Sequence, residues 1–289
     1  MVQTPPNLIR EIANKRVIFF FGSGISANSI SEDKTHGLEK PLTWGNFINK
    51  AKELLSEGHP AIPYIDSMLA KEDYLKALQA IKNNSDSGLY AELLRKNFDY
   101  PHFLPNPIHE FIKDINCKIV ITTNFDKIYE QCCGSHGYPV INYNDDISKL
   151  MTNLRSSENL IIKAHGTIDN ANKIIFTENE FYEARKKYAD FYSVLKSLFL
   201  THTVVFLGYS LNDPDINLQL ELTNKTKVDS NPHYIFMAKG VDIELQKQWK
   251  ECYNVNVFEY GDTRYDLPKY MEDLSKEVNS YKLEHSLPK

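Results

Sequence analysis

The chain has 289 residues, with 33 Lys and Arg against 38 Asp and Glu, for a formal charge of −5. That mild acidity excludes a strongly basic nucleic-acid surface, so no strong direct nucleic-acid binding is expected. A content of 42% hydrophobic and 25% charged residues is that of a globular protein long enough to bury a full core. Cys132 and Cys133 are adjacent, Cys117 and Cys252 are isolated, and no C-x-x-C pair exists. A disulfide framework and a cysteine zinc site are therefore not expected, and no metal is assigned. The opening Met1-Val2-Gln3-Thr4-Pro5-Pro6 has no basic stretch leading into an apolar one. The longest apolar runs, Val17–Phe21 and 204–208, fall far short of the ~20 residues a membrane span needs. The expectation is a cytoplasmic protein with no membrane association.

In chain order, strands are predicted over Val17–Phe21, Lys118–Thr122, Leu160–Ala164, Thr203–Gly208, Tyr234–Ala238 and Asn256–Glu259. Most are apolar throughout rather than alternating, as strands buried on both faces of a parallel sheet read. About 95 residues separate the first strand from the second, and their pattern is helical. Thr43 caps a segment Trp44–Leu55 with an apolar face of Trp44, Phe47, Ile48 and Ala51; Asp73–Lys82, Ser87–Phe98 and Ile108–Ile115 follow. Glu178–Leu200 forms a second helical stretch. The fold class is α/β, a Rossmann-like parallel sheet with a helical insertion. The division expected is a nucleotide-binding domain over 1–41 and 116–275, a helical subdomain over 42–115 and a flexible tail over 276–289.

Four strand ends carry polar residues suited to chemistry. After the first strand comes Gly22-Ser23-Gly24-Ile25-Ser26. Glycines followed by a helix start suit a pyrophosphate, because the backbone can turn sharply and offer N–H groups. A tight turn needing positive φ explains them equally well. The second strand ends in Thr122-Thr123-Asn124-Phe125-Asp126. Asn124 can hold a ribose hydroxyl and a water together, whereas Asp126 can simply cap the next helix. The third strand ends in His165-Gly166; the other histidines, among them His36, His59 and His136, read as loop or surface residues. The fourth ends in Gly208-Tyr209-Ser210-Leu211-Asn212-Asp213-Pro214-Asp215. Gly208 and Ser210 can meet a phosphate or ribose, or Gly208 can serve close packing. Asp213 with Pro214 reads as a helix cap, so neither Asp213 nor Asp215 is taken as a metal ligand.

In order and spacing these segments resemble the SIR2-like family, the sirtuin fold in its bacterial NAD-hydrolase branch. The Gly22-Ser23-Gly24-Ile25-Ser26 run is similar to that family's Gly-Ala-Gly-Ile-Ser, Thr123-Asn124-Phe125-Asp126 to its Gln-Asn-Ile-Asp, and His165-Gly166 to its His-Gly pair. Gly208-Tyr209-Ser210 is similar to its late Gly-x-Ser element. The chain lacks the two C-x-x-C pairs of classical sirtuin deacetylases and carries Ser26-Ala27-Asn28-Ser29-Ile30 where they follow the first glycines with an Asp-Phe-Arg segment. The insertion after Thr43 resembles the SIR2 domains of bacterial anti-phage systems.

The resemblance implies an NAD⁺ glycohydrolase that depletes NAD⁺ in abortive infection, with NAD⁺ as substrate. Asn124 and His165 are then catalytic. Gly22, Ser23, Gly24, Ser26, Thr123, Asp126, Gly208 and Ser210 bind the dinucleotide. The chain would form a homo-oligomer regulated by a HerA-like ATPase or another defence-system partner, because the resemblance fills most of it. An NAD-dependent protein deacylase and a non-catalytic NAD or ADP-ribose sensor remain the alternatives.

Overall fold

The computed structural model describes residues 3–32, 40–99, 102–134, 137–224 and 231–287; His36 and His136 lie outside them. The chain opens with α1 (Pro6–Ala13), β1 (Val17–Phe21) and the single turn α2 (Ser23–Ser26). Four helices of the insertion follow: α3 (Trp44–Lys52), α4 (Ile62–Ala70), α5 (Tyr74–Asn84) and α6 (Ser87–Phe98). Next come α7 (Pro107–Ile115), β2 (Ile119–Thr122), α8 (Ile128–Cys133), β3 (Val140–Asn142), α9 (Ile147–Arg155) and β4 (Leu160–Lys163). The second half contains α10 (Glu178–Lys187), α11 (Ala189–Thr201), β5 (Thr203–Leu207), α12 (Pro214–Asn224), β6 (His233–Ala238), α13 (Ile243–Tyr253), β7 (Val255–Gly261) and α14 (Leu267–Glu284).

The seven strands form one sheet in the order β3-β4-β2-β1-β5-β6-β7, every pairing parallel. This is the α/β Rossmann-like sheet that the apolar runs predict. Every residue of β1, β2, β4 and β5 is buried. Strand alternation divides them between two layers. Val17, Phe19 and Phe21 face a cluster with α1, α7, α8 and α14. Ile18 and Phe20 face the opposite cluster with α9–α13. The chain leaves β1 toward β2 on one side, whereas β5 pairs on the other. The carboxyl ends of β1 and β5 flank this topological switch, where open α/β sheets take their ligands, and those of β2 and β4 follow beside β1.

The insertion has a core of its own, built by Phe47, Ile48, Ala51, Ile65, Leu78, Ile81 and Leu94. Phe125, Ile168, Ala171, Ile174 and Phe176 complete it, from the loops that follow β2 and β4. The helices α3–α6 thus rest on the same loops that carry the polar strand ends. The predicted start at Thr43 holds, its hydroxyl accepting from Asn46 N at 3.4 Å.

Three features differ from the sequence expectation. Helix α7, placed with the insertion by its position, packs Ile108, Ile112 and Ile115 under the sheet instead. The 178–200 stretch is two helices, broken at Tyr188 (φ −117°, ψ 41°). Residues 276–284, expected as a flexible tail, continue α14: Val278 is fully buried, and Lys282 Nζ donates to Ile115 O at 2.7 Å. A polar helix face had concealed a buried one. Among the described residues no helix is long and apolar enough to cross a membrane.

Candidate functional site

The register Thr122↔Lys163 sets Asn124 and His165 at equivalent positions, each two residues past the last paired residues of β2 and β4. Thr122 Oγ1 donates to Phe21 O at 2.9 Å and accepts from Asn124 N at 3.0 Å, so the β2 turn is tied to the end of β1. Asn124 is 8% exposed. Its Nδ2 donates to Gly22 O at 3.3 Å and to Ser26 Oγ at 3.1 Å, which leaves Oδ1 as the amide's remaining acceptor. Ser26 is buried and donates in turn to Asp126 Oδ2 at 3.4 Å. Asn124, Ser26 and Asp126, each expected from sequence, therefore form one hydrogen-bonded group.

Asp126 also caps α8, its Oδ1 accepting from Ile128 N at 3.1 Å. Burial holds its carboxyl above the usual range, while the Lys163 ammonium pulls it down. Lys163 is fully buried at the end of β4. Its Nζ donates to Glu130 Oε1 at 2.6 Å, to Phe125 O at 3.4 Å and to Asp126 O. This cation fastens the Asn124-Phe125-Asp126 segment to β4. Sequence reading passed over it, although a lysine in an otherwise apolar strand is itself a signal, because a buried cation needs partners.

The glycines are committed to one another. Gly22 N donates to Leu207 O at 3.1 Å and Gly24 N to Gly208 O at 2.9 Å. A Cβ on Gly24 would lie 2.7 Å from Gly208 Cα and O. A Cβ on Gly208 (φ +55°) would lie 2.4 Å from Ile25 N. Close backbone approach thus explains both, and the N–H groups of Gly22 and Gly24 join the end of β1 to the end of β5. Ser23 and Gly24 are exposed at the strand ends, as is Ser210; Thr123 is half-buried, its N–H 3.4 Å from Phe21 O.

His165 is 6% exposed. Phe181 stands edge-on to its ring, with centroids 5.0 Å apart and an interplanar angle of 86°. Its Nε2 is buried 2.9 Å from Asp213 Oδ2, without the alignment of a hydrogen bond. Asp213 is also the cap of α12, its Oδ1 accepting from Asp215 N at 2.9 Å and Ile216 N at 3.0 Å. Behind it, Asp215 is fully buried between Tyr192 OH at 2.6 Å and Arg185 Nη1 at 3.0 Å. Burial pushes its carboxyl up to about 6 despite these partners. The cap explained Asp213 so completely in sequence that its second contact went unread.

The expectation that the other histidines lie in loops or on the surface is corrected for two of them. His109 and His233 are buried, and burial lowers both to about 4. Each Nδ1 accepts from a backbone N–H, of Asn106 at 3.2 Å and of Val204 at 3.0 Å, so both are core residues tied to the backbone, although Nε2 of His109 is buried without a hydrogen bond.

The family model of the SIR2-like domain matches residues 118–258, from β2 into β7, which takes in Asn124, Asp126, His165, Gly208 and Ser210. The chain is 28% identical over 224 residues to defense-associated sirtuin 2 of Bacillus subtilis, a match covering 75% of this chain and 20% of that protein. It is 25% identical over 160 residues to the NAD(+) hydrolase ThsA of Enterococcus faecium, covering 55% of this chain and 33% of that one. To the ThsA of Cytobacillus dafuensis it is 25% identical over 238 residues, covering 80% and 43%. The chain spans between a fifth and about two fifths of the length of these curated relatives.

Proposed function

We propose that this chain hydrolyses NAD⁺ to nicotinamide and ADP-ribose, and that the reaction depletes NAD⁺ in anti-phage defence. The observation that carries the reading is the pairing of Asn124 with His165 at equivalent positions past the ends of adjacent parallel strands, both nearly buried beside the switch point of the sheet. Relatives named for NAD(+) hydrolysis and for defence support it.

The nicotinamide of NAD⁺ is cationic, so it departs as a neutral molecule and needs no general acid. The C1′–N bond breaks with its electron pair going to the pyridine nitrogen, and an oxocarbenium-like ribose results, as in glycoside cleavage generally. Water then forms the C1′–O bond and loses a proton. Asn124, whose amide is anchored through Nδ2, turns Oδ1 to the ribose or the water and fixes their orientation. His165 takes the proton, a role that contributes roughly 10²–10⁴-fold. Asp126 holds the nicotinamide carboxamide. Ser23, Gly24 and Ser26, with Gly22, bound the pyrophosphate; Thr123 adjoins the ribose, and Gly208 with Ser210 the adenosine side.

Incubation of the purified chain with NAD⁺ alone, followed by product identification, tests this. Nicotinamide and ADP-ribose in equal amounts are expected. Intact NAD⁺ held tightly would point to a sensor, and turnover of an acyl-lysine peptide to a deacylase. The same resemblance carries the proposals of a homo-oligomer and of an ATPase or other defence-system partner. Light scattering, and NAD⁺ assays with the product of the neighbouring gene, test those.

A further inference from the structure

We propose that Asp213 is the positioning residue for His165, fixing Nε2 so that Nδ1 is the nitrogen that receives the proton; this rests on the hydrolase reading above. A helix cap needs one oxygen, and Asp213 supplies it with Oδ1, which accepts from Asp215 N and Ile216 N at 2.9 and 3.0 Å. Serine, threonine or asparagine would cap α12 as well. The second oxygen is what a cap does not require, and it lies 2.9 Å from His165 Nε2. Because the first oxygen is tied to the helix backbone, the second is held still.

The ring is confined as well. Phe181 meets it edge-on at 5.0 Å, and the backbone of His165 is pinned by Ile175 N donating to its carbonyl at 3.0 Å. Nε2 is buried and has no acceptor but Asp213 within reach among the described residues. At 2.9 Å Oδ2 is already within bonding distance of Nε2, and catalytic hydrogen bonds commonly come into line when substrate binds. A carboxylate at Nε2 selects the tautomer with its lone pair on Nδ1 and stabilises the imidazolium once the proton arrives.

Asp213 and Asp215, from the start of α12, are the carboxylates that face this ring, and Arg185 of α10, Tyr192 of α11 and Tyr209 of the β5 loop stand around those two carboxylates. Arg185 offsets Asp215, leaving Asp213 as the carboxylate in contact with Nε2.

The test uses the full chain with Asp213→Asn, whose amide oxygen keeps the cap while the charge is removed. The turnover number is expected to fall by about 10²-fold or more, within the range a positioned base supplies, with KM little changed. The acid limb of the kcat profile, and an NMR titration of the His165 ring without substrate, are expected to move to lower pH, the direction in which loss of a neighbouring carboxylate takes an imidazole. Asp213→Ser, which also caps but carries no charge, should behave alike and guards against a folding defect in the first variant. A residue that serves only as a cap would change the melting temperature and leave the titration midpoint and the acid limb in place. Either variant matching the unaltered chain in kcat and midpoint, while that chain cleaves NAD⁺, overturns the inference alone. An unaltered chain that leaves NAD⁺ intact overturns the hydrolase reading instead.

Discussion

At Gly208 the backbone takes φ +55° and passes so close to α2 that a methyl group would sit 2.4 Å from Ile25 N. Gly208→Ala should therefore lose more than the ~1–3 kcal/mol that strained backbone costs by itself. Gly58 is the control, with φ +72° and no heavy atom within 4 Å of the place a methyl group would take. Melting curves should show the larger loss at Gly208, and equal losses at the two positions would exclude the close-packing role. At the reacting group, His165→Ala is expected to abolish NAD⁺ cleavage in a chain that still folds. Asn124→Ala should depress kcat about 10²-fold or more with KM little changed, since an orienting group acts chiefly in the transition state. It also gives up the bonds to Gly22 O and Ser26 Oγ, so a modest drop in melting temperature should accompany it. Near-normal hydrolysis by folded His165→Ala would remove the base assignment. These positions were legible because buried strands that end on a polar side chain are conspicuous. The lysine at 163 was equally conspicuous and was missed, because its partners, Glu130 and two backbone carbonyls, come from residues 33–38 positions earlier in the chain.

Among the elements, the long internal strands and the amphipathic helices were readable, and the failures share a cause. Strand β3 has three residues of which one is buried, too little for a periodic signal. Helix α14 carries Leu267, Met271, Leu274 and Val278 at helical spacing, but Lys, Glu and Ser between them give residues 276–284 a polar look. Its burial follows from packing on α1 and α7, with Thr4 bonded to Tyr270 OH at 2.9 Å and Lys282 to Ile115 O at 2.7 Å. Leu274→Ala should cost ~2–5 kcal/mol, as for other fully buried leucines. Removing residues 276–289 should lower the melting temperature by several degrees; an unchanged transition would restore the view of this segment as a loose tail.

For the whole molecule, acid should be the weak side of its stability. His109 and His233 titrate near 4 in the fold against an ordinary 6.5. The unfolded chain therefore binds more protons than the folded one between those values, and stability is lost as pH falls from about 6.5 toward 4. Each histidine contributes up to ~1.4 kcal/mol per pH unit in that window. Asp215 works the other way: with its carboxyl raised from 3.8 to about 6, it favours the fold at low pH and withdraws that support as pH rises through 6. Asp126, whose carboxyl burial also holds above the usual range, acts in the same sense as Asp215, and the two histidines are expected to outweigh these two carboxyls between pH 7 and pH 5. Denaturant melts at pH 7 and pH 5 should show it, and His233→Gln should flatten the slope. A slope of opposite sign would show that the two carboxyls dominate.

Sequence alone determined the parallel sheet, because burying a strand on both faces forces a run of apolar residues that no exposed strand can carry. It also marked the four polar strand ends, since a parallel sheet brings the carboxyl ends of its strands to one edge whatever the intervening chain does. Strand order was decided only by the tertiary structure. That order makes Asn124 and His165 neighbours and sends the end of β5 against α2, so that Gly208 meets Gly24 across almost two hundred residues of chain. The approach of Asp213 to His165 was decided there too. A capping residue satisfies every local rule with one oxygen, and nothing in its own segment reveals where the other points.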